Sequence, residues 1–220
     1  MAAEGGLKKP LLELAGRTVL AHACAAFDAA ASIKEVILVG AADDLSALQA
    51  ALEGHPAAGK VRAWVVGGDE RTDSVRAGVE AVSDAADVIL VHDVARPLVA
   101  PEHIDAVSAK AAAAGAALLA VPVRDTIKES AKGSHAESTL DRERLWAAQT
   151  PQGFGAGVLR EILARAQADG FRPTDDAALY ERYVGPVPLV EGSPENIKLT
   201  TRADLVVAAA ILRARAEANS

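Results

Sequence analysis

The sequence predicts an α/β protein built on a doubly wound, mainly parallel sheet, and three observations carry that prediction. Apolar runs of strand length recur at residues 35–40, 61–66, 88–92 and 117–123. Ala-rich stretches with apolar residues at helical spacing lie between them. Several runs stop abruptly at glycine or at an acid, as strands do where an α/β sheet presents its carboxyl ends to a ligand.

Residues 17–31 are rich in alanine, the best helix former, and read as the first helix. Residues 35–40, Glu-Val-Ile-Leu-Val-Gly, read as a buried strand because their apolar residues follow one another without alternation. A helix over 43–52 and a strand over 61–66 come next, the strand running into Gly67-Gly68. Residues 74–82 read as a helix with Asp73 or Thr72 as its cap. The run over 88–92 reads as a buried parallel strand, ending at Asp93. Residues 101–115 read as helix, 117–123 as strand, 154–169 and 175–183 as helices, 188–191 and 197–200 as short strands, and 203–218 as the closing helix. Residues 124–144 break this rhythm, being too long and polar for an ordinary connection, and are expected to form a projecting β-arm; a disordered loop is the alternative.

With 220 residues, half of them apolar, the chain can build a full core in one domain. A net charge of −7 argues against general nucleic-acid binding, which needs clustered positive charge. No apolar run reaches the roughly 20 residues of a membrane span. No secretory core region follows Met1, and the lone Cys24 excludes an internal disulfide, so the cytoplasm is expected. His22, His55, His92, His103 and His135 are scattered without ligand spacing and predict no zinc site.

The chemistry-bearing residues cluster at the strand ends. Asp93 stands where a divalent metal and a phosphate chain could meet, and Arg96 offers a planar fork of donors to a phosphate. The plainer alternative makes Asp93 a turn cap and Arg96 a surface partner. Gly67 and Gly68, followed by Asp69, Arg71 and Ser74, leave a strand and enter a helix, where a close backbone approach and free N–H groups suit a nucleotide. Thr126, Arg142, Thr150, Thr174 and Lys198 supply hydroxyls and cations for a divided anion site, although Thr174 could be a helix cap and Lys198 a solvated strand-edge lysine.

Six motifs occur in order: Gly67-Gly68-x-x-Arg71-x-x-Ser74-Val75, Val91-His92-Asp93-x-Ala95-Arg96-Pro97, Pro122-Val123-x-Asp125-Thr126-Ile127-Lys128, Leu145-Trp146-x-x-Gln149-Thr150-Pro151-Gln152-x-Phe154, Thr174-Asp175-Asp176-Ala177 and Glu191-Gly192-x-x-x-Asn196-Ile197-Lys198. Together, from about Lys9 onward, they resemble the 2-C-methyl-D-erythritol 4-phosphate cytidylyltransferase family of the non-mevalonate isoprenoid pathway. The resemblance implies a Rossmann-like nucleotidyltransferase fold and a homodimer in which the arm of residues 124–144 clasps the partner. It also implies transfer of CMP from CTP to methylerythritol phosphate with Mg²⁺. By residue, it gives the metal to Asp93 and the cytidine end of CTP to Gly67, Gly68, Asp69 and Ser74. Arg96, Thr126, Arg142, Thr150 and Thr174 fall to the sugar phosphate, and Lys9, Arg142 and Lys198 to catalysis at the reacting phosphates.

The family opens with a strand and a glycine-rich loop of the type Ala-Ala-Gly-x-Gly-x-Arg. Here residues 9–16 match only the segment beyond that loop, with Lys9 in the place of the catalytic lysine and Pro10 where Gln is usual. A polypeptide starting upstream of Met1 is therefore expected. Without that strand the chain is expected to fold poorly, since three or four buried apolar side chains at roughly 1.5–3 kcal/mol each rival the ~5–15 kcal/mol stability of a domain. Two other readings fit parts of the pattern: a cytidylyltransferase acting on ribitol 5-phosphate, and a non-catalytic nucleotide-binding remnant. Residues 123–128 with Asp141, Arg142 and Trp146 favour methylerythritol phosphate. Retention of Lys9, Asp93, Arg142 and Lys198 speaks against a remnant.

Overall fold

The computed structural model describes residues 8–218, so the expectation about a start upstream lies outside the described residues. A short antiparallel hairpin, β1 (Glu13–Leu14) and β2 (Arg17–Thr18), leads into helix α1 (Val19–Ala29). Thr18 caps that helix by accepting the Ala21 N–H at 3.1 Å. Its far end is closed by Lys60, whose Nζ donates to the carbonyls of Phe27, Asp28 and Ala30 at 3.4, 2.5 and 2.8 Å. A helix leaves its last carbonyls unpaired and favours a cation there, so one lysine answers both needs.

Strand β3 (Val36–Gly40), helix α2 (Leu45–Leu52) and strand β4 (Val61–Val66) follow, with β3 and β4 paired in parallel. Helix α3 (Arg71–Glu80) begins three residues before the expected position, because the Glu70 carbonyl already accepts the Ser74 N–H at 3.1 Å. Neither Asp73 nor Thr72 caps it; both lie within its first turn.

Next come β5 (Val88–Val91), α4 (Pro101–Ala114) and β6 (Ala116–Pro122). Proline at the first turn of α4 and Gly115 at φ +85° past its end follow the usual asymmetry of helix termini. The segment 124–144 contains a two-stranded antiparallel hairpin, β7 (Lys128–Glu129) with β8 (Ser138–Thr139), as expected for a β-arm.

A ten-residue strand that the pattern did not predict, β9 (Trp146–Gly155), then runs antiparallel between β5 and β6. Helix α5 (Ala156–Asp169) therefore starts two residues later than expected. Helix α6 (Ala177–Tyr183), strand β10 (Leu189–Glu191) and helix α7 (Arg202–Ala218) complete the chain. Residues 197–200, expected as a strand, form no ladder: the Leu199 N–H bonds to the Ala95 carbonyl at 2.7 Å and fixes the segment at one point.

The main sheet has the order β10-β6-β9-β5, with β10 parallel to β6 and β9 antiparallel to its neighbours, and β3-β4 forms a separate pair. Among the described residues β3 and β5 exchange no backbone hydrogen bond. Helices hold the two sheets in register instead. One apolar cluster joins Phe27 of α1 and Ile104 of α4 to Val36 of β3 and to Val88 and Leu90 of β5. On α3, Val75 and Val79 join Ile89 and Val91 of β5, while Gly78 lets the same helix close on Val39 of β3.

Candidate active site

Residues 92–97 leave β5 in a turn closed by the Arg96 N–H on the Asp93 carbonyl at 2.9 Å. The Asp93 carboxylate meets two cations, Lys198 Nζ at 2.6 Å on Oδ2 and Arg71 Nη2 at 3.6 Å on Oδ1. Arg71 comes from the first turn of α3 after β4, and Lys198 from the loop after β10, so three separate strand ends deliver this group. Arg71 Nη2 also donates to Asp176 Oδ2 at 2.7 Å. Asp176 is 1 % exposed, and its other oxygen has no hydrogen-bond partner among the described residues.

Burial opposes ionisation of Asp93, but the bond and charge of Lys198, helped by Arg71, outweigh it and hold its carboxyl below the usual carboxylate range. Burial likewise opposes the charge on Arg71, and Asp176 and Asp93 outweigh it, so the guanidinium stays charged. Burial pushes Asp176 up, against the pull of Arg71.

Behind Asp93, its backbone N–H donates to Thr150 Oγ1 at 3.1 Å, and that oxygen lies 3.0 Å from His92 Nδ1. His92 Nε2 lies 3.1 Å from the Arg96 carbonyl, and its ring packs against Phe27 with centroids 4.9 Å apart. The Arg96 guanidinium is tied to the chain itself, Nη1 to the Asn196 carbonyl at 2.8 Å and Nη2 to the Ala148 carbonyl at 3.2 Å.

Buried amides fix the loops that carry these groups. Asn196 Nδ2 donates to Gln149 Oε1 and to the Thr150 carbonyl, both at 3.1 Å, and Gln149 Nε2 donates to the Ser193 carbonyl at 2.8 Å. A side chain at position 192 would meet Gln149 Oε1 at 2.5 Å, so Gly192 is what allows this amide in. Gln152 donates to Asp175 at 2.9 Å and accepts the Ala177 N–H at 2.8 Å, which pins the start of α6 and hence Asp176. From outside, Arg215 on α7 binds Glu195 through Nε and Nη2 and the Leu98 carbonyl through Nη1.

Of the residues expected from sequence, Asp93, Arg96, Thr150 and Lys198 are brought together. Lys198 is paired with Asp93 at 2.6 Å, which sets aside the alternative of a purely solvated strand-edge lysine. Gly67, Gly68, Asp69 and Ser74 form the turn between β4 and α3; a Cβ at Gly67 would fall 2.6 Å from Ser74 Oγ, and one at Gly68 2.4 Å from the Asp73 Cβ. Ser74 Oγ donates to the Gly68 carbonyl at 3.4 Å, and Asp69 is exposed. Thr126 is exposed on the arm, where Arg142 Nη1 holds the Arg124 carbonyl at 3.1 Å. Thr174 is exposed and does not cap α6; Asp175 does so, accepting the Ala178 N–H at 3.1 Å. Lys9 lies in a short 3-10 turn, Lys9–Leu11, and among the described residues its side chain makes no ion pair with the Asp93 group. Sequence reasoning missed the bridging part of Arg71, the buried Asp176 and the ring of His92. Each stood inside a quoted motif, but spacing alone does not reveal which strand ends meet.

A family model described as IspD, 2-C-methyl-D-erythritol 4-phosphate cytidylyltransferase, matches residues 2–214. The enzyme of that name from Pelotomaculum thermopropionicum is 42% identical over 208 residues, 94% of this chain and 87% of that protein. The one from Synechococcus sp. is 44% identical over 207 residues, 94% of this chain and 92% of that protein. Among solved structures, 4-diphosphocytidyl-2C-methyl-D-erythritol synthase from Anaerococcus prevotii matches with a TM-score of 0.84 at 30% identity, covering 96% of this chain and 93% of that one. The 2-C-methyl-D-erythritol 4-phosphate cytidylyltransferase of Thermus thermophilus matches with a TM-score of 0.77 at 36% identity, covering 96% of each chain. The nucleotidyltransferase fold implied by the six motifs is the fold of these neighbours.

Proposed function

Because the chain belongs to the 2-C-methyl-D-erythritol 4-phosphate cytidylyltransferase family, we propose that it transfers CMP from CTP to methylerythritol phosphate at the group formed by Asp93, Lys198 and Arg71. A phosphate oxygen of the sugar attacks the α-phosphorus of CTP in line, one P–O bond forms, and the bond to the β-phosphate breaks with release of pyrophosphate. No protein nucleophile is required. What the reaction needs is two anions held together and charge offset in the transition state.

The observation that carries this reading is the meeting of Lys198 and Arg71 on one carboxylate, delivered from three strand ends. Lys198 is 48 % exposed, so an incoming phosphate can reach it. The Gly67-Gly68 turn, packed so tightly on Ser74 and Asp73 that neither position has room for a Cβ, is assigned to the cytidine end with Asp69 and Ser74. Arg96, anchored on two carbonyls, and Thr174, exposed beside Asp175, are assigned to the sugar phosphate.

Asp93 suits a magnesium ion: such ions take one or two carboxylates and complete their shell with substrate phosphates. When bound, Mg²⁺ supplies positive charge to the phosphate oxygens. Thr126 and Arg142, on the exposed hairpin segment, are assigned to the site of a second copy of the chain, making the active form a homodimer clasped by residues 124–144. Among the described residues no helix is long and apolar enough to cross a membrane, and the cytoplasm is proposed as the working compartment.

The test is pyrophosphate release by the purified chain with CTP, Mg²⁺ and methylerythritol phosphate, with ribitol 5-phosphate as control substrate. Lys198→Ala should lower kcat/KM by about 10²–10³-fold, the usual cost of removing one preorganised charge partner. A folded chain that binds CTP but releases no pyrophosphate with methylerythritol phosphate would overturn the assignment.

A further inference from the structure

We propose that His92 is a positioning residue for this reaction: through the hydroxyl of Thr150 it holds the backbone N–H of Asp93, and so sets the carboxylate that Lys198 and Arg71 meet. The inference rests on the cytidylyltransferase reading of the Asp93 group.

It comes from counting hydrogens. His92 Nε2 faces the Arg96 carbonyl at 3.1 Å, and a carbonyl only accepts, so Nε2 carries a hydrogen. A neutral imidazole has one donor and one acceptor, and this ring, packed against Phe27, places its donor on the Arg96 carbonyl. Nδ1 is therefore a lone pair, and the Thr150 hydroxyl, 3.0 Å away, donates to it. The same hydroxyl oxygen accepts the Asp93 N–H at 3.1 Å. The chain of donation runs from the Asp93 amide to Thr150 to His92 to the Arg96 carbonyl, and one imidazole clamps both ends of the 93–96 turn.

Nothing in this chain is free to swing. The His92 ring leans on Phe27 at 56°. Thr150 is thrown toward it because residues 149–151 of β9 stand opposite the single Leu119 of β6, and Asn196 holds the Thr150 carbonyl from the other side. The consequence is sharp for Thr150. Its only hydroxyl hydrogen is committed to His92, so it has none to give to a phosphate oxygen, which also only accepts. Direct substrate binding by Thr150 and positioning by the His92–Thr150 pair thus predict different kinetics.

The experiment compares His92→Leu, Thr150→Val, the double variant and His92→Asn. Amide hydrogen exchange at Asp93 is followed by NMR, with kcat and KM for the sugar phosphate measured alongside. His92→Leu and Thr150→Val should each speed Asp93 exchange by about tenfold or more, since the amide loses its fixed acceptor. Each should lower kcat by about 10–100-fold with little change in KM, as misplacement of a reacting group does. The double variant should be no worse than the worse single one. His92→Asn, whose amide oxygen falls near the place of Nδ1, should restore most of the protection and most of kcat. Additive effects, a rise in KM confined to Thr150→Val, or no rescue by His92→Asn would overturn the proposal. A wild-type chain that releases no pyrophosphate defeats the functional reading alone, because exchange at Asp93 still decides whether His92 holds it.

Discussion

β6 and β3 are both short apolar runs flanked by helices, yet residues 116–120 of β6 are all buried whereas Leu38 is the one buried residue of β3. Their own sequences do not explain this, since Val36-Ile-Leu-Val39 is the more apolar of the two. The edges do. β6 lies between β10 and β9 and is bonded along both sides, while among the described residues β3 is bonded to β4 alone and β5 to β9 alone. A strand is covered at its flanks by its neighbours as much as on its faces by helices, so the more apolar run can end up the less buried.

The contrast can be broken most directly in the core. Phe154, fully buried in β9, should cost about 3–5 kcal/mol when changed to Ala, and Val39→Ala in half-buried β3 about 1 kcal/mol, both read from urea denaturation. Equal losses would mean that the two regions are packed alike. A smaller effect comes from adding a methyl group. At Gly153 it would meet Leu90, Val107 and Ala111 at 2.7, 2.9 and 3.0 Å, and Gly153→Ala should cost about 1–3 kcal/mol. At Gly78 it would meet Val39 Cγ2 at 2.9 Å, a methyl on a stiff β-branched side chain. There the gain in helix propensity of up to ~1 kcal/mol should offset part of that clash, so Gly78→Ala should cost less than Gly153→Ala.

The smallest effect gives a surface reference. Asp204, near the start of α7, accepts the N–H of Thr201 and of Thr200 at 2.7 Å each and the Thr200 hydroxyl at 2.8 Å, bonds that draw its carboxyl down to about 2. The stability this adds is present above the ordinary carboxylate range and is lost as pH falls toward about 2. On so exposed a group it is slight, and Asp204→Asn should flatten the acid limb of the Tm profile without moving the neutral-pH Tm by more than about 2 °C.

The strands at 36–40, 61–66, 88–91 and 116–122 were legible in position because unbroken apolar runs bounded by glycine, acid or proline leave few other structures open, but the parallel pairing expected of 88–92 was not, since its bonded neighbour is the antiparallel β9. β9 was not, because its middle reads Gln149-Thr-Pro-Gln152, polar and proline-containing. Those amides are buried only because loops distant in sequence, at 175–177 and 193–196, arrive to bond them. Such compensation is tertiary and leaves no local period. The same limit applied to the site. Asp93 and Lys198 announced themselves as a strand-end acid and a cation inside motifs. The identity of the bridging cation, Arg71, depended on how close β4 and β5 bring their carboxyl ends. His92 looked like one more scattered histidine until Thr150 was placed against it.

The loop that carries Lys198 has no ladder of its own. Its stiffness is borrowed from β9 through Asn196 and Gln149, from the 92–97 turn through Leu199, and from α7 through Arg215 on Glu195 and the Leu98 carbonyl. The last of these makes the carboxyl-terminal helix an outrigger of the reaction centre. A polypeptide ending just short of Arg215 would retain every side chain that meets Asp93, and would present its lysine from a loop that keeps its ties to β9 and to the 92–97 turn but has lost its polar tie to α7.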